Sequence, residues 1–359
     1  MKVLLVTGSY PPMKCGVGDY TAQLAGALAE IAGVEVEVLT TGERREIERV
    51  EGVTIRRFMI DWSLLRWRQL IAMVREVDPD CIHVQYPTQG YASGGLQAFI
   101  PIIARVLGVP VVQTWHEGFT IRSFADFLLR VIVCGPLIVV RPNFKERNLP
   151  ALFRGLLGRR ALNFIPSASA LPRVEISDSL RISIKAEILQ GQRYLIVFFG
   201  FVFPSKGADL LFEIANPQAD FILIVGEVMD EPTRKAIEAQ LESITWRGKS
   251  IACGFVPMDE AATLLALADA VVLPFRTGGG GWNTSIHAAA IQGTFVLTTA
   301  LEPLGYSSRE NIYRAKIDDI QEMKRALREH VGTRVPVNAP TPWAEIARKH
   351  VELYKCANA

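Results

Sequence analysis

Apolar runs and amphipathic segments alternate along almost the whole chain. Runs such as 2–7, 81–85 and 194–199 are mostly apolar and contain several β-branched residues, which predicts strands covered on both faces. Between them, segments such as 19–31 and 231–243 place apolar residues three or four positions apart, which predicts helices. This alternation indicates parallel sheets with helices on both faces.

The same pattern extends through both halves of the sequence. Further strands are predicted at 35–40, 53–58, 109–114, 137–140, 221–225, 250–253, 270–274 and 295–299. Further helices are predicted at 61–76, 96–107, 123–133, 143–157, 208–214, 259–266 and 342–354. The alternation pauses at 166–179, where serine, proline and aspartate indicate a linker. We therefore expect two doubly wound Rossmann-like domains, 1–168 and 169–341.

Composition narrows the class of protein further. A length of 359 residues fits about two domains, and a net charge of +2 gives no reason to expect a nucleic-acid partner. The five cysteines are scattered, which favours a reducing compartment over a disulfide framework or a zinc site. The most apolar run, 128–140, is broken by Arg130 and Gly135 and falls short of the roughly 20 residues that span a membrane. These features predict a cytoplasmic protein.

Ligands on parallel sheets bind at the carboxyl ends of the strands, and the residues predicted there include several that carry chemistry. They are Gly16 and Gly18, Gln85 and Tyr86, His116 and Glu117, Ser205 and Lys206, Glu227, Phe255, and the four glycines 278–281. Two such edges facing each other would form a cleft, which is a common place for a small-molecule site.

The segment 273–293 has the most distinctive pattern. A predicted strand leads into four consecutive glycines, and a helical pattern follows from Asn283 or Thr284, both of which are good N-caps. Bare backbone N–H groups and a helix N-terminus together predict an anion site. A solvent loop is the alternative, but the glycines lead directly into the apolar stretch 286–291.

Two charged or titratable residues are candidates for chemistry. Lys206 follows a strand and precedes a helix, where an ammonium group could meet a diphosphate, although a solvated surface lysine fits the position too. His116 ends a strand beside Glu117 and could donate a hydrogen bond to a sugar or phosphate, or could be structural. We interpret His83 as a packed core histidine and His287 as a capping or packing residue. No metal-ligand cluster has sensible spacing.

Three other patterns are weaker. The segment 16–21, GVGDYT, matches a dinucleotide fingerprint only in part, and 246–250 resembles a phosphate loop without its first glycine. The segments 62–75 and 152–160 are basic and amphipathic. Helices of this kind can lie on an anionic membrane, and the alternative is a core-packing helix with a basic outer face.

Taken together, these motifs resemble the retaining glycosyltransferases of GT-B fold, family four, over essentially the whole chain. The motifs that carry the resemblance are SYPPMKCGVGDYT, DPDCIHVQYP, VVQTWHE, GFVFPSKGADLL, IVGE, CGFVP, the glycine loop and TPWAEIARKHVELY. The resemblance implies two Rossmann-like domains facing across a cleft, with the tail 342–359 crossing back to the first. It also implies transfer of a sugar from a nucleotide sugar to a glycan, lipid-linked or small-molecule acceptor, with retention of configuration.

The same resemblance assigns roles to individual residues. Gly16 and Gly18 would face the donor diphosphate or sugar, His116 would contact the donor sugar, and Lys206 would hold the leaving diphosphate. The remaining expected donor contacts are Ser205, Glu227, Phe255, Val256, Gly280, Gly281, Asn283, Thr284 and Ser285. No metal or other cofactor is expected, because the nucleotide sugar is a co-substrate.

The sequence departs from the family pattern at three charged positions. Phe201 stands near the place of an arginine, and Gly280 and Ala288 stand where the family has two glutamates eight positions apart. The leading hypothesis is a cytoplasmic glycosyltransferase, with peripheral contact at the inner membrane face left open. The alternatives are a catalytically silent GT-B protein that binds a nucleotide sugar or a partner enzyme and, less favoured, an NAD-dependent enzyme.

Overall fold

The computed structural model describes residues 1–92, 94–335 and 342–358. It divides into two compact units, of which the first is Met1–Ser167 with Thr341–Ala359 and the second is Ala168–Pro340. The predicted boundary at residue 341 and the last residue of the predicted tail, 359, lie outside the described residues. Each unit contains one mainly parallel sheet, so the predicted α/β class is confirmed.

The first unit has an eight-stranded sheet. Its strands are β1 (Lys2–Val6), β2 (Glu35–Thr41), β3 (Glu46–Val50), β4 (Val53–Met59), β5 (Cys81–Tyr86), β6 (Val111–Trp115), β7 (Leu137–Val139) and β8 (Leu162–Phe164). The spatial order is β3-β4-β2-β1-β5-β6-β7-β8, in which β3 pairs antiparallel with β4 and the other neighbours pair in parallel. The central strand β1 is buried on both faces, as its apolar run predicts.

Helices cover the faces of this sheet. They are α1 (Gly16–Ala29), α2 (Trp67–Val77), α3 (Leu96–Val106), α4 (Phe124–Val131), α5 (Phe144–Asn148) and α6 (Ala151–Leu157). The helix predicted at 19–31 therefore begins and ends earlier in the chain. The single helix predicted at 143–157 is two helices, because Pro150 has no N–H for α5 to continue and becomes the N-cap of α6.

The second unit has a seven-stranded sheet. Its strands are β9 (Tyr194–Phe199), β10 (Asp220–Val225), β11 (Ser250–Gly254), β12 (Ala270–Leu273), β13 (Phe295–Ala300), β14 (Gly305–Ser307) and β15 (Ile312–Lys316). They lie in the order β11-β10-β9-β12-β13-β15-β14, and β14 is antiparallel to β15. The helices are α7 (Asp178–Leu189), α8 (Leu211–Ile214), α9 (Glu231–Glu242), α10 (Met258–Leu267), α11 (Thr284–Ala290) and α12 (Ile320–His330).

The sequence pattern did not predict several of the elements, and the structure shows why. Strand β3 is exposed at every residue, and β8 is a three-residue edge strand, so neither shows a buried apolar run. Helix α7 begins at Asp178, inside the predicted linker, with Ser177 accepting from the backbone N–H of Leu180. The pattern also left β14, β15 and α12 unassigned.

The C-terminal helix α13 (Trp343–Asn358) belongs to the first unit, where it packs on α1, β5 and β6. Its buried face contains Ile346, Ala347, His350, Val351 and Tyr354. The predicted tail helix is therefore confirmed; it begins one residue later and ends four residues later than expected. In the described part of the chain, no helix is both long and apolar enough to cross a membrane.

Candidate functional site

Two loops are tied together at the carboxyl edge of the first sheet. After β1, the N–H of Gly8 donates to Thr88 Oγ1 at 2.9 Å, and after β5, the N–H of Gly90 donates to Ser9 Oγ at 2.7 Å. A Cβ on Gly90 would lie 1.7 Å from the carbonyl oxygen of Gly8, so this approach requires glycine. These contacts hold the two loops together next to the start of α1.

The two glycines predicted to contact the donor, Gly16 and Gly18, lie in the first turn of α1, next to these loops. A Cβ on Gly18 would lie 3.0 Å from the carbonyl oxygen of Ser9, whereas a Cβ on Gly16 would meet nothing within 4 Å. Packing therefore restricts position 18, and position 16 keeps open space beside it. In the same first turn, burial raises the pKa of Asp19 to about 6.

His116 lies at the end of β6 and is 9% exposed. Its backbone N–H donates to the carbonyl of Tyr86 at 2.8 Å, and its carbonyl accepts from Nε of Arg141 at 3.0 Å. Burial, with a smaller contribution from the nearby Arg141, lowers the pKa of His116 to about 3. The imidazole is therefore neutral at neutral pH.

A buried chain of hydrogen bonds holds this ring. Gln85 Oε1 lies 2.9 Å from Nε2 of His116, and Gln85 Nε2 lies 3.1 Å from Nε2 of His83. His83 continues to Thr114 Oγ1 and to the hydroxyl of Tyr354 on α13, both at 2.7 Å. His83 is fully buried, which confirms its interpretation as a core histidine.

The direction of the hydrogen bond between Gln85 and His116 depends on the tautomer of the imidazole. With the amide oxygen facing the ring, the tautomer that carries its proton on Nε2 donates to Oε1 of Gln85. The other ring nitrogen, Nδ1, then has only a lone pair to offer. In that tautomer the ring would accept a hydrogen bond from a ligand hydroxyl at Nδ1, and the contact of His116 with a donor sugar stays a prediction.

Aromatic residues of α1 and α13 close this cluster. The Tyr20 ring contacts the His116 ring edge-on at 4.7 Å and the Trp343 ring at 5.1 Å. The Tyr20 hydroxyl and Nε2 of His350 are buried without a hydrogen-bond partner. Burial lowers the pKa of His350 to about 4. Polar positions inside strands buried on both faces, Gln85 and Thr114 among them, were the sequence signal for this network.

The carboxyl edge of the second sheet has a different composition. After β9 and β10, the backbones of Gly200 and Gly226 touch, and a Cβ on Gly226 would lie 2.1 Å from the carbonyl oxygen of Gly200. A Cβ on Gly200 would lie 2.8 Å from Oγ of Ser285. Both glycines have positive φ, so glycine satisfies the backbone as well as the space. Ser285 is thereby placed against the end of β9.

Lys206 ends a 3₁₀ turn (Pro204–Lys206) that follows β9. Its Nζ lies 4.6 Å from the centre of the Phe275 ring, which is a cation–π distance. The carbonyl of Ser205 accepts from the N–H of Arg276 at 2.9 Å, which fixes the turn against the residues after β12. Arg276 itself forms an ion pair with Asp209 at 2.5 Å, so its charge is compensated.

Three of the four N–H groups of the glycine loop are already hydrogen-bonded within the protein, contrary to the sequence prediction of bare N–H groups. The N–H of Gly278 donates to Phe275, that of Gly279 to Thr299, and that of Gly280 to Oδ1 of Asn283 at 2.8 Å. Helix α11 spans seven residues, so its dipole is short. What the loop supplies is a close approach of its backbone and a position for the side chains that follow it.

Two side chains brace this loop. Nε2 of His287 lies 2.6 Å from the carbonyl oxygen of Gly281, so this histidine ties α11 to the loop before it. A Cβ on Gly280 would lie 2.2 Å from the ring of Trp282, whereas one on Gly281 would meet nothing within 4 Å. Sequence reasoning missed Trp282, whose signal was an aromatic directly after the glycine run.

The remaining predicted donor contacts occupy neighbouring strand ends. Glu227 follows β10 and its carbonyl accepts from the N–H of Val202, while Phe255 and Val256 follow β11. The Phe255 side chain is 53% exposed. Thr284 and Ser285, in the first turn of α11, are half-buried. Among the described residues, no three His, Cys, Asp or Glu side chains are grouped to hold a metal ion.

This architecture is the GT-B fold of glycosyltransferases. HepE of Anabaena, solved with UDP and glucose and also with UDP-glucose, matches with a TM-score of 0.69 at 15% identity, over 100% of this chain and 97% of that one. Sucrose-phosphate synthase of Thermosynechococcus elongatus matches at 0.67 and 16%, over 99% and 94%. UDP-GlcNAc 2-epimerase of Methanocaldococcus jannaschii matches at 0.60 and 12%, over 99% and 100%. At these identities the likeness shows the fold alone.

A sequence-family model matches part of the chain. Residues 15–170 match the Glycosyl transferase 4-like domain, which covers most of the first unit, including Gly16, Gly18 and His116. A comparison with curated protein sequences finds no match. The fold and the matched domain therefore agree with the glycosyltransferase resemblance of the sequence motifs.

Proposed function

We propose that the chain is a glycosyltransferase that moves a sugar from a nucleotide-sugar donor to a hydroxyl-bearing acceptor. The observation that carries this proposal is the match of residues 15–170 to the Glycosyl transferase 4-like domain. The matching GT-B structures support it, and HepE, which holds UDP-glucose, makes uridine donors the first to test. An epimerase shares the fold, so transfer to an acceptor has to be measured directly.

In this proposal, Lys206 carries the main electrostatic role. The turn at the end of β9 and the Phe275 ring position its ammonium group at the carboxyl edge of the sheet, where α/β ligands bind. An ammonium group beside the leaving diphosphate stabilises the negative charge that develops as the glycosidic bond breaks. We therefore expect no metal requirement, and chelation with EDTA should leave turnover unchanged.

The other donor contacts are assigned by position. Ser205, Glu227, Phe255 and Val256 surround the ends of β9, β10 and β11, and the exposed Phe255 ring is suited to stack on a nucleotide base. Gly280, Gly281, Asn283, Thr284 and Ser285 form the α11 side of the donor site, in which hydroxyls replace the missing carboxylates.

The first unit contributes neutral groups in this proposal. Open space beside Gly16 allows a close approach of a phosphate to the first turn of α1, where N–H groups have no helical partner. Gly18 brings that turn onto the loop after β1. Nδ1 of His116 accepts a hydrogen bond from a sugar hydroxyl.

Retention of configuration rests on the sequence resemblance, and NMR of the anomeric proton in the product tests it.

A catalytically silent GT-B protein is the second candidate. Its specific support is that Ala288 is buried in the core and Gly280 lies against Trp282, so neither position can present a carboxylate. Such a protein would bind a nucleotide sugar, or a partner enzyme, without turnover. The five cysteines are free and fit a reducing compartment, so we propose the cytoplasm for either candidate.

One experiment separates these functions. Thermal shifts are recorded with UDP-, GDP-, ADP- and dTDP-sugars and with NAD, because a ligand that binds only the folded state raises the melting temperature. Stabilisation by a nucleotide sugar, followed by nucleotide release with an acceptor, supports the transferase. Stabilisation without release over a broad acceptor panel supports the silent protein, and stabilisation by NAD alone contradicts both.

A further inference from the structure

Helix α13 is connected to His116 by a series of buried hydrogen bonds. The hydroxyl of Tyr354, which is completely buried, lies 2.7 Å from Nδ1 of His83. Nε2 of His83 lies 3.1 Å from the amide nitrogen of Gln85, and the amide oxygen lies 2.9 Å from Nε2 of His116. We call these four side chains the hydrogen-bond relay. Tyr354 reaches His116 only through the other two.

The members of the relay are uncharged at neutral pH. Burial lowers the pKa of His83 well below its ordinary value and raises that of Tyr354 well above its own. Burial also lowers the pKa of His116 to about 3. Each imidazole therefore carries one proton, on one of its two nitrogens, and the other nitrogen can only accept a hydrogen bond.

Two arrangements of the protons pair every bond of the relay. In the first, Nδ1 of His83 donates to the Tyr354 hydroxyl, and Nε2 of His83 accepts from the amide N–H of Gln85. The amide oxygen then accepts from Nε2 of His116. This arrangement has the amide orientation of the structure, and it leaves Nδ1 of His116 as an acceptor.

The second arrangement reverses every bond. The Tyr354 hydroxyl donates to Nδ1 of His83, and Nε2 of His83 donates to the amide oxygen of Gln85 after a half-turn of the amide. The amide N–H then donates to Nε2 of His116, so that the proton of His116 is on Nδ1. In either arrangement, one histidine is protonated on Nδ1 and the other on Nε2.

The Tyr354 hydroxyl supports the first arrangement. It is the acceptor for the Nδ1 proton of His83, and an N–H buried without an acceptor is unfavourable and rare in protein interiors. If this hydroxyl is removed, the proton of His83 gains a partner by moving to Nε2, which lies 2.7 Å from Oγ1 of Thr114. A protonated Nε2 then opposes the amide N–H of Gln85, and the amide has to turn.

We propose that Tyr354 is a positioning residue for His116, because its hydroxyl holds the relay in the arrangement in which Nδ1 of His116 accepts a hydrogen bond from the donor sugar. Loss of the hydroxyl turns the same nitrogen into a hydrogen-bond donor. The inference rests on the proposed function, in which His116 contacts the donor sugar. Helix α13, which follows the second unit in the sequence, thereby determines the hydrogen bonding of a group at the carboxyl edge of the first sheet.

The tautomers are measured by ¹⁵N NMR on the full chain, labelled at its five histidines. The protonated and the bare nitrogen of a neutral imidazole have well-separated chemical shifts. The His116 signals are assigned by their absence in His116→Asn, and those of His83 by contacts with the Tyr354 ring. His350 is an internal reference, because its Nδ1 lies 2.8 Å from the carbonyl oxygen of Ile346, which can only accept. Wild type should have the proton of His83 on Nδ1 and that of His116 on Nε2.

Tyr354→Phe should move the proton of His116 from Nε2 to Nδ1. Tyr91→Phe is the matched control, because it removes another buried tyrosine hydroxyl of the first unit, one that donates to the carbonyl of Val6 at 3.1 Å. It should leave the tautomer of His116 as in wild type. With the nucleotide sugar that stabilises wild type most, Tyr354→Phe should have a kcat/KM about five- to tenfold below that of Tyr91→Phe.

Three results would overturn the proposal. The first is a His116 proton on the same nitrogen in wild type and Tyr354→Phe. The second is a wild-type spectrum in which His83 and His116 are both protonated on Nδ1 or both on Nε2, and this result requires no variant to fold. The third is equal kcat/KM in the two tyrosine variants despite a changed tautomer. The spectra need no donor, so a failure of the proposed function is seen separately, as absence of turnover in wild type.

Discussion

At the carboxyl edge of the first sheet, His116 is buried and neutral in a hydrogen-bonded chain that ends on α13. At the same edge of the second sheet, Lys206 and Phe255 remain partly open to solvent, and touching glycines bring strand ends together. The carboxyl edges of the two sheets therefore differ in character. The first is buried and uncharged, and the second is charged and accessible.

The difference shows how one topology divides two tasks. A buried neutral imidazole selects a hydroxyl by geometry, and it does so without titrating near neutral pH. A half-buried ammonium group attracts phosphate over a longer range and stabilises developing charge. We infer that the first unit contributes neutral, fixed hydrogen-bonding groups and that the second contributes the positive charge for the diphosphate.

The largest expected effect comes from acid. The pKa values of His116 and His350 are lowered by burial to about 3 and about 4, and that of His83 is lowered as well. Below the ordinary pKa of about 6.5, the unfolded chain binds protons that these folded rings do not, so stability falls as the pH falls. Each ring adds about 1.4 kcal/mol per pH unit, and His116 and His350 alone cost about 5 kcal/mol between about pH 6.5 and 4.5. Asp19, whose pKa burial raises to about 6, acts in the opposite direction and offsets about 2 kcal/mol of this loss.

Urea unfolding of the first unit as a function of pH measures this loss. His350→Leu should make the free energy of unfolding depend less steeply on pH, by the equivalent of one proton, because one of the three neutral rings is removed. A free energy of unfolding that stays constant down to about pH 4.5 would show that the rings are not held neutral, and the contrast between the two edges would fail.

The next effect concerns the amide that joins two of these rings. Gln85→Leu leaves Nε2 of His116 and Nε2 of His83 without this partner in a buried place, so it should destabilise the first unit by about 2 to 3 kcal/mol. Gln89→Leu, an exposed position close to it in sequence, should stay within about 0.5 kcal/mol. Urea denaturation of both variants makes the comparison, and equal stabilities would mean that the network does not depend on Gln85.

A smaller effect is expected at the loop of the second unit. Gly280→Glu places a carboxylate in the loop but pushes against the Trp282 ring, so it should cost about 1 to 3 kcal/mol. Gly281→Glu, at the open neighbouring position, should change stability by less than about 0.5 kcal/mol. Melting temperatures of the two variants are the readout. Gly280→Glu as stable as Gly281→Glu would show that Trp282 does not brace the loop.

Much of the fold could be predicted because buried parallel strands have a clear apolar pattern. The strands that form the centre of both sheets, β1 and β9 among them, were found within one or two residues. Strand β3 was missed because it is exposed at every residue, and β8 because it has three residues at an edge. Edge elements depend on hydrogen bonds to a neighbour that the local sequence does not reveal.

The sequence could predict where the candidate residues lie along the strands, but not which hydrogen bonds they form. Strand-end patterns pointed to His116, Lys206 and the glycine loop. The sequence could not show that Gln85 hydrogen-bonds both His116 and His83, because that depends on residues on separate strands meeting in the sheet. Nor could it show that the N–H groups of Gly278 and Gly280 are already bonded, since glycine runs reveal permitted conformations and not their partners.

The most direct test of the account is the affinity of Lys206→Ala for the nucleotide sugar that stabilises the wild type most in the four-donor panel. The matched control is Lys235→Ala, a largely exposed lysine on α9 of the same unit. Titration calorimetry should show a loss of about ten- to a hundredfold for Lys206→Ala, as expected for one charge-assisted bond to phosphate, and no change for Lys235→Ala. Equal affinities for the two variants would contradict the assignment of diphosphate binding to the end of β9.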